Sequence, residues 1–315
     1  MTSFTDSASH LTTSYGWDSR GELKTVTLPT KKSVTYLRDV AGNPSVRSSG
    51  GVITVWNVFN HRNQLIATLD PALGAAVSKR FVYGTNPSVP DYMFVPSTGH
   101  TFKFVTDHLG SPVEIIDVNT GAVAEEIHYD DFGNVTSDSN PGFQPFGFAG
   151  CLYDIETKLC QFGARQYDPS IGRWLTKDPI LFDGGDTNLY GYVVQDPINF
   201  IDPTGLIKYT PTAGGTVDGK TTAALSCFET CAGGEVTVTG GMEGGHASGS
   251  AHGTGEACDL GKNSNPSLTR DTAQRCFTQC FDQSTSYGQE EGNHFHMQTR
   301  PGRGGATGGF PPGTR

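Results

Sequence analysis

The sequence predicts two unlike parts: an all-β region of short repeated hairpins over residues 1–206, then a small α+β domain. Three observations carry this. An aromatic residue, a tight polar turn and a β-branched strand recur through the first part. Glycine occurs 41 times while charged residues make up only 17%, which suits many tight turns between strands and does not suit helix bundles. Five of the seven cysteines and four of the nine histidines fall after Leu206, so the chemistry of the chain changes there. With 315 residues, the chain has the length of about two domains.

The repeated unit begins at Tyr15-Gly-Trp-Asp-Ser-Arg-Gly-Glu-Leu and returns as Tyr36-Leu-Arg-Asp-Val-Ala-Gly-Asn. Trp56-Asn-Val-Phe-Asn-His-Arg-Asn, Thr106-Asp-His-Leu-Gly-Ser-Pro-Val and Tyr129-Asp-Asp-Phe-Gly-Asn-Val continue it. An Asp or Asn opens each turn and a Gly or Asn can take the positive φ, while aromatic and β-branched residues form the flanking strands. A single hairpin cannot bury a face, so such units must stack on their neighbours. A generic β-sandwich is the plain alternative for this pattern.

Charge excludes some classes. The formal net charge is −10, which provides no long-range attraction to a phosphate backbone. After Leu206 the balance is near even, eight Lys and Arg against ten Asp and Glu. No run of about 18 apolar residues exists, so no membrane span is expected. The opening residues carry neither a basic nor an apolar stretch, so no signal peptide is expected and export needs another route.

Residues 144–206 are more specific. Gln144-Pro-Phe-Gly-Phe-Ala-Gly, Tyr153-Asp, Ala164-Arg-Gln-Tyr-Asp-Pro, Gly172-Arg-Trp-Leu-Thr-Lys-Asp-Pro, Asn188-Leu-Tyr-Gly-Tyr and Asp202-Pro-Thr-Gly-Leu206 follow in order. They resemble the core region of Rhs/YD-repeat proteins. The resemblance implies the end of a β-cocoon that encloses a toxin, with residues 1–206 as a shell fragment. It also implies self-cleavage after Leu206 by Asp178 and Asp202; the alternative is that both are turn-forming Asp-Pro aspartates. A full shell needs more repeats than 206 residues hold, which implies other shell pieces or a secretion apparatus as partners.

The last 109 residues are read on their own chemistry. All four histidines sit in two clusters, Gly245-His246-Ala-Ser-Gly-Ser250-Ala-His252-Gly-Thr-Gly255-Glu-Ala257-Cys-Asp259 and Glu290-Glu291-Gly-Asn-His294-Phe-His296-Met-Gln. Catalytic zinc takes about three N or O ligands and keeps one position open. His294 and His296, two apart, share one face of a strand. A helix is expected over Lys220–Cys231, a strand over Glu235–Thr239, and a second helix capped by Ser267 and ending near Gln283. Cys227/Cys231 and Cys276/Cys280 then lie one turn apart on those two helices, so antiparallel packing allows two disulfides. A four-cysteine zinc site is the rival. Cys258 alternates away from Asp259 and reads as a buried filler. Residues 301–315, rich in Gly and Pro, are expected to be disordered.

The first cluster fits Ser-x-His-x-x-Gly-x-Ala-x-Asp at every fixed position. This resembles the zinc-peptidase superfamily of D-Ala-D-Ala carboxypeptidases, murein endopeptidases and the hedgehog domain. The resemblance implies zinc (Zn2+) held by His252, Asp259 and His296, with Glu290 as general base and His246 and His294 assisting. The carboxypeptidase branch reads Glu-x-x-His instead, which would make Glu291 the base and His294 a ligand. That branch also uses an upstream Arg for the oxyanion, and no Arg lies between Leu206 and Arg270.

The fold class expected is therefore an all-β YD-repeat shell fragment, residues 1–206 with its core at about 144–206, followed by a zinc-peptidase-like domain over 207–300. The function expected is a zinc metallopeptidase toxin that hydrolyses peptidoglycan stem peptides or crosslinks. It would be a secreted effector acting in the periplasm or cell wall of a target bacterium, with a cognate immunity protein. A non-catalytic zinc-stabilised binding domain is the alternative, and a nuclease toxin a further one.

Overall fold

The computed structural model describes residues 2–5, 10–84, 86, 88–177, 188–205, 208–209, 217, 219–232, 236–240, 251–252, 256–302 and 306–309. The chain packs as two compact units, Met1–Gly84 with Val89–Thr176, and Thr85–Ser88 with Lys177–Arg315. Residues 188–205 thus pack with the second unit.

In the first unit, thirteen strands among the described residues form one antiparallel sheet in strict chain order. They are β1 (Ser3–Thr5), β2 (Thr12–Trp17), β3 (Leu23–Thr27), β4 (Ser33–Arg38), β5 (Pro44–Ser49), β6 (Val52–Phe59) and β7 (Leu65–Asp70). β8 (Ala76–Val82), β9 (Tyr92–Val95), β10 (His100–Thr106), β11 (Pro112–Asp117), β12 (Val123–Tyr129) and β13 (Val135–Asp138) complete it. The repeated turns share one hydrogen-bond pattern. Asp39 Oδ1 accepts from the N–H of Ala41 and of Asn43, both at 2.9 Å. Asp18, Asn60, Asp107 and Asp130 do the same two and four residues ahead. The residue closing the turn takes φ of +79° at Gly21, +88° at Gly42, +58° at Asn63, +90° at Gly110 and +86° at Gly133. A register shift sits just before each of these turns, as between Leu37 and Arg38 or between His128 and Tyr129. Such bulges increase strand twist, which curls a long meander.

Residues 144–176 lie against one face of this meander. β14 (Leu152–Tyr153), β15 (Cys160–Phe162), β16 (Arg165–Asp168) and β17 (Arg173–Trp174) form a small antiparallel sheet. Phe146 packs among Leu65, Phe81, Phe102, Phe104 and Ile115, and Leu159 and Leu175 pack with Tyr15, Leu23 and Val26. Buried aromatic side chains of this size dominate a core. Polar ties accompany them: Arg47 forks onto Asp154 at 2.6 and 3.0 Å and reaches Glu156 at 2.9 Å, while the Tyr36 hydroxyl donates to Asp154 at 2.7 Å. Gly133 is required here, since a Cβ would run into the Phe148 ring. Cys151, just before β14, and Cys160, the first residue of β15, are disulfide-bonded with their Cα atoms 5.4 Å apart. The sequence reading did not foresee that bond.

The second unit mixes helix and strand. β18 (Lys208–Tyr209) pairs in parallel with β19 (Thr237–Val238). β20 (Ala257–Gly261), β22 (His294–Gln298) and β21 (Tyr287–Glu291) make a three-stranded antiparallel sheet with β22 in the centre. The helices are α1 (Gly219–Ala232) and α2 (Arg270–Cys280). Thr269 caps α2 in place of Ser267, its hydroxyl accepting from Thr272 N–H at 3.2 Å. The helix ends at Cys280 rather than near Gln283, because the Phe281 backbone turns extended. Cys227 bonds Cys280 and Cys231 bonds Cys276, with Cα separations of 5.5 and 5.4 Å, and Cys258 is buried with a free thiol. The tail differs from the expected disorder where it is described. Gly302 N–H bonds Ala306 O at 2.7 Å, and Gly308 runs beside Tyr287 in a parallel bridge. Backbone groups that find strand partners hold even a Gly-rich segment.

Candidate metal centre

Strand parity builds the site. β22 is paired on both sides, Asp259 opposite His296 and Gln289 opposite His296, with Glu291 opposite His294. Directly opposed residues share a face of the sheet. One face therefore carries Asp259, His294, His296, Gln298, Gln289 and Glu291, whereas Cys258, Leu260, Phe295 and Met297 fill the core on the other.

His252 reaches the first face from the segment before β20, where Glu256 N–H bonds Ala251 O at 2.9 Å. The backbone of Asp259 is held on its outer side by Gly240, whose carbonyl accepts from Asp259 N–H at 2.8 Å. A Cβ on Gly240 would come within 2.7 Å of the Asp259 carboxylate, so glycine is needed for that approach.

Three ligand-type atoms converge. His296 Nδ1 lies 2.8 Å from Asp259 Oδ1, His252 Nε2 lies 3.4 Å from the same oxygen, and the two ring nitrogens are 3.2 Å apart. Zinc bonds of about 2.0–2.1 Å in a tetrahedron put ligand atoms about 3.3 Å apart; the two edges from His252 are close to this, while the His296–Asp259 edge is at hydrogen-bond distance and would open by about 0.5 Å around the ion. The donor set, two imidazoles and a carboxylate, also suits zinc. Burial opposes ionisation of Asp259, but hydrogen bonds from His252 and His296 outweigh it and hold the carboxyl well below its usual range. Burial likewise favours a neutral His296, yet its bonds to Asp259 and Gln298 raise its pKa. His294 joins from the same face, its Nε2 3.6 Å from Asp259 Oδ1 and 3.6 Å from Glu291 Oε2.

The structure does not bring Glu290, the expected general base, to the ligand cluster. That side chain lies on the opposite face, bonded to Lys262 Nζ at 2.5 Å and Arg270 at 3.0 Å. The Lys262 hydrogen bond is the main cause that lowers its pKa. Glu291, the alternative, is on the metal face and half exposed. His246 lies outside the described residues, as do Asp178 and Leu206. Asp202 is buried and accepts from the Thr204 hydroxyl at 3.2 Å. The sequence reading also passed over Gln298, which the His-x-His-x-Gln alternation places on the ligand face.

Comparison with known proteins identifies the other unit. The sequence profile of the Teneurin YD-shell family matches residues 7–198. The chain belongs to the Teneurin YD-shell family. Within that family it is 42% identical to YibJ of Escherichia coli over 103 residues, 32% of this chain and 43% of YibJ. It is 38% identical to the toxin protein Tse5 of Pseudomonas aeruginosa over 104 residues, 33% of this chain and 8% of Tse5. It is also 37% identical to Teneurin-3 of Danio rerio over 111 residues, 33% of this chain and 4% of Teneurin-3. The YD-shell chain thus spans less than half the length of each of these relatives. Among solved structures, TcdB2-TccC3 is similar at a TM-score of 0.46 and 20% identity, over 62% of this chain and 10% of that one. The thirteen-stranded meander and its end sheet are the YD-shell part of this protein.

Proposed function

We propose that this YD-shell protein carries a zinc-dependent peptidase in its second unit, acting as a toxin on peptidoglycan stem peptides or crosslinks. The observation that carries the reading is the triangle of His252, Asp259 and His296 with Glu291 on the same face. Support for the substrate comes from the Ser-x-His-x-x-Gly-x-Ala-x-Asp pattern, and support for toxicity from the likeness to Tse5. Bound zinc supplies Lewis acidity, activating water near neutral pH and polarising the scissile carbonyl. His252, Asp259 and His296 would hold it. Glu291 takes the proton of the attacking water and returns it to the leaving amine. His294, beside Glu291, donates toward the carbonyl oxygen as charge builds there. Self-cleavage after Leu206 is part of the same proposal and would cut residues 207–315 from the rest of the chain. The test is digestion of purified peptidoglycan by the full chain, with fragments identified by mass. New peptide ends that vanish with a chelator and return with zinc are expected; intact peptidoglycan across all conditions would overturn the reading.

A further inference from the structure

We infer that Gln298 is a positioning residue for the metal centre, setting which nitrogen of His296 faces the ligand triangle. The inference rests on the zinc reading above and adds a residue to it. Gln298 follows His294 and His296 at the strand period of two, so all three share the site face. Its side chain is buried, and both ends of its amide have partners.

The donor and acceptor roles then follow one from another. Gln298 Nε2 donates to Arg300 O at 2.9 Å. A carbonyl oxygen only accepts, so the amide nitrogen must be at that end. Gln298 Oε1 is therefore the atom 2.9 Å from His296 Nε2. An amide oxygen also only accepts, so His296 Nε2 carries the hydrogen. That bond holds the ring with Nδ1 toward Asp259 and His252, the atom whose lone pair a metal would take. A ring flipped about its Cβ–Cγ bond would put carbon atoms both against Gln298 and at the ligand position.

The peptide that fixes this orientation is itself held. Thr299 N–H bonds Glu256 O at 2.8 Å, and Arg300 NH1 pairs with Glu256 Oε2 at 3.2 Å. Glu256 precedes β20, the strand that carries Asp259. One chain of contacts, Glu256 to Arg300 to Gln298 to His296, thus ties the orientation of one ligand to the strand of another. Metal-bound histidines depend on such outer partners, whose loss typically lowers metal affinity ~10–100-fold.

The test uses the full oxidised chain and two readouts. Zinc affinity is measured by chelator competition in wild type, Gln298→Leu and Gln298→Glu. Exchange of the His296 Nε2–H with solvent is read by NMR. Gln298→Leu should weaken zinc binding ~10–100-fold and speed that exchange. Gln298→Glu keeps the acceptor for Nε2–H, though not the donor to Arg300, and should recover most of both losses. That rescue separates orientation from folding, as a variant that merely unfolds the sheet would not be restored. Wild-type affinity and unchanged exchange in Gln298→Leu would overturn the proposal. Absence of zinc binding by wild type would sink the zinc reading itself, while the Nε2–H exchange would still decide the role of Gln298.

Discussion

Two adjacent glutamates on β21 have opposite environments, and only one faces the ligand cluster. Glu290 is tied to Lys262 and Arg270 on the far face, while Glu291 stands beside His294. Glu291→Gln should therefore keep zinc and lose ~10²–10⁴ in peptide hydrolysis, the range for removal of a general base. Glu290→Gln should leave the rate near wild type, because its partly exposed ion pairs contribute at most about 1 kcal/mol to stability. Zinc content and turnover measured on both variants check this. A third glutamate matters in the shell. Glu125 is fully buried, and burial, reinforced by the Asp138 carboxylate, pushes its pKa up to about 8 against Gln144 and Lys79. Its folded pKa is raised above the ordinary 4.5, so the neutral form suits the fold. The stability linked to it is present in full below pH 4.5 and is lost as pH rises through 8. Glu125→Gln should raise Tm at pH 9 by a few degrees and change it little at pH 4.5, read from thermal melts at both values.

At the level of elements, the second unit depends on covalent staples. α1 and α2 are cross-linked twice, Cys227 to Cys280 and Cys231 to Cys276, closing loops with sequence separations of 53 and 45. Each such bond typically adds ~2–4 kcal/mol, largely by restricting the unfolded chain. The Cys151–Cys160 bond is a third, in the shell. Mass spectrometry of oxidised protein without reductant should show six hydrogens fewer than the reduced chain and one alkylatable thiol, Cys258, on unfolding. Cys231→Ser with Cys276→Ser should lower the melting temperature of the second unit and leave that of the shell unchanged. Zinc bound by four free thiols would contradict this. Protein folded in a reducing compartment would lack these staples, so the second unit should be most stable in an oxidising one.

For the whole molecule, the proposed self-cleavage is the property to test. The Asp202-Pro-Thr-Gly-Leu206 motif ends the part that resembles an Rhs core, and Asp202 is buried. If cutting follows Leu206, purified protein should resolve into two fragments on a denaturing gel, and Asp202→Asn into one. A single intact wild-type band would show that this length of shell does not assemble the cleaving site. Toxicity should appear when the chain is directed to the periplasm, where stem peptides lie, and killing from the cytoplasm alone would contradict the cell-wall substrate. Among the described residues, no helix is long and apolar enough to cross a membrane.

What the sequence determined by itself is local. The Asp-x-x-Gly-Asn turns are legible because Asp39 bonds backbone groups two and four residues ahead and Gly42 supplies the positive φ, all within one loop. His294 and His296 on one face follow from the strand period, and the one-turn spacing within each cysteine pair from the helix period, whereas bonding those pairs across two helices did not. The rest required contacts between distant segments. Spacing alone could not choose between Glu290 and Glu291, because the facing residue depends on hairpin register. The turn at Gly292, with φ of +49°, places Glu291 opposite His294; a shift of one residue would have exchanged the two glutamates. The glycine that lets Asp259 approach and the strand partner of Gly308 likewise come from separate parts of the chain. Local rules describe each residue's own backbone, whereas these features exist only once the sheet has closed around them.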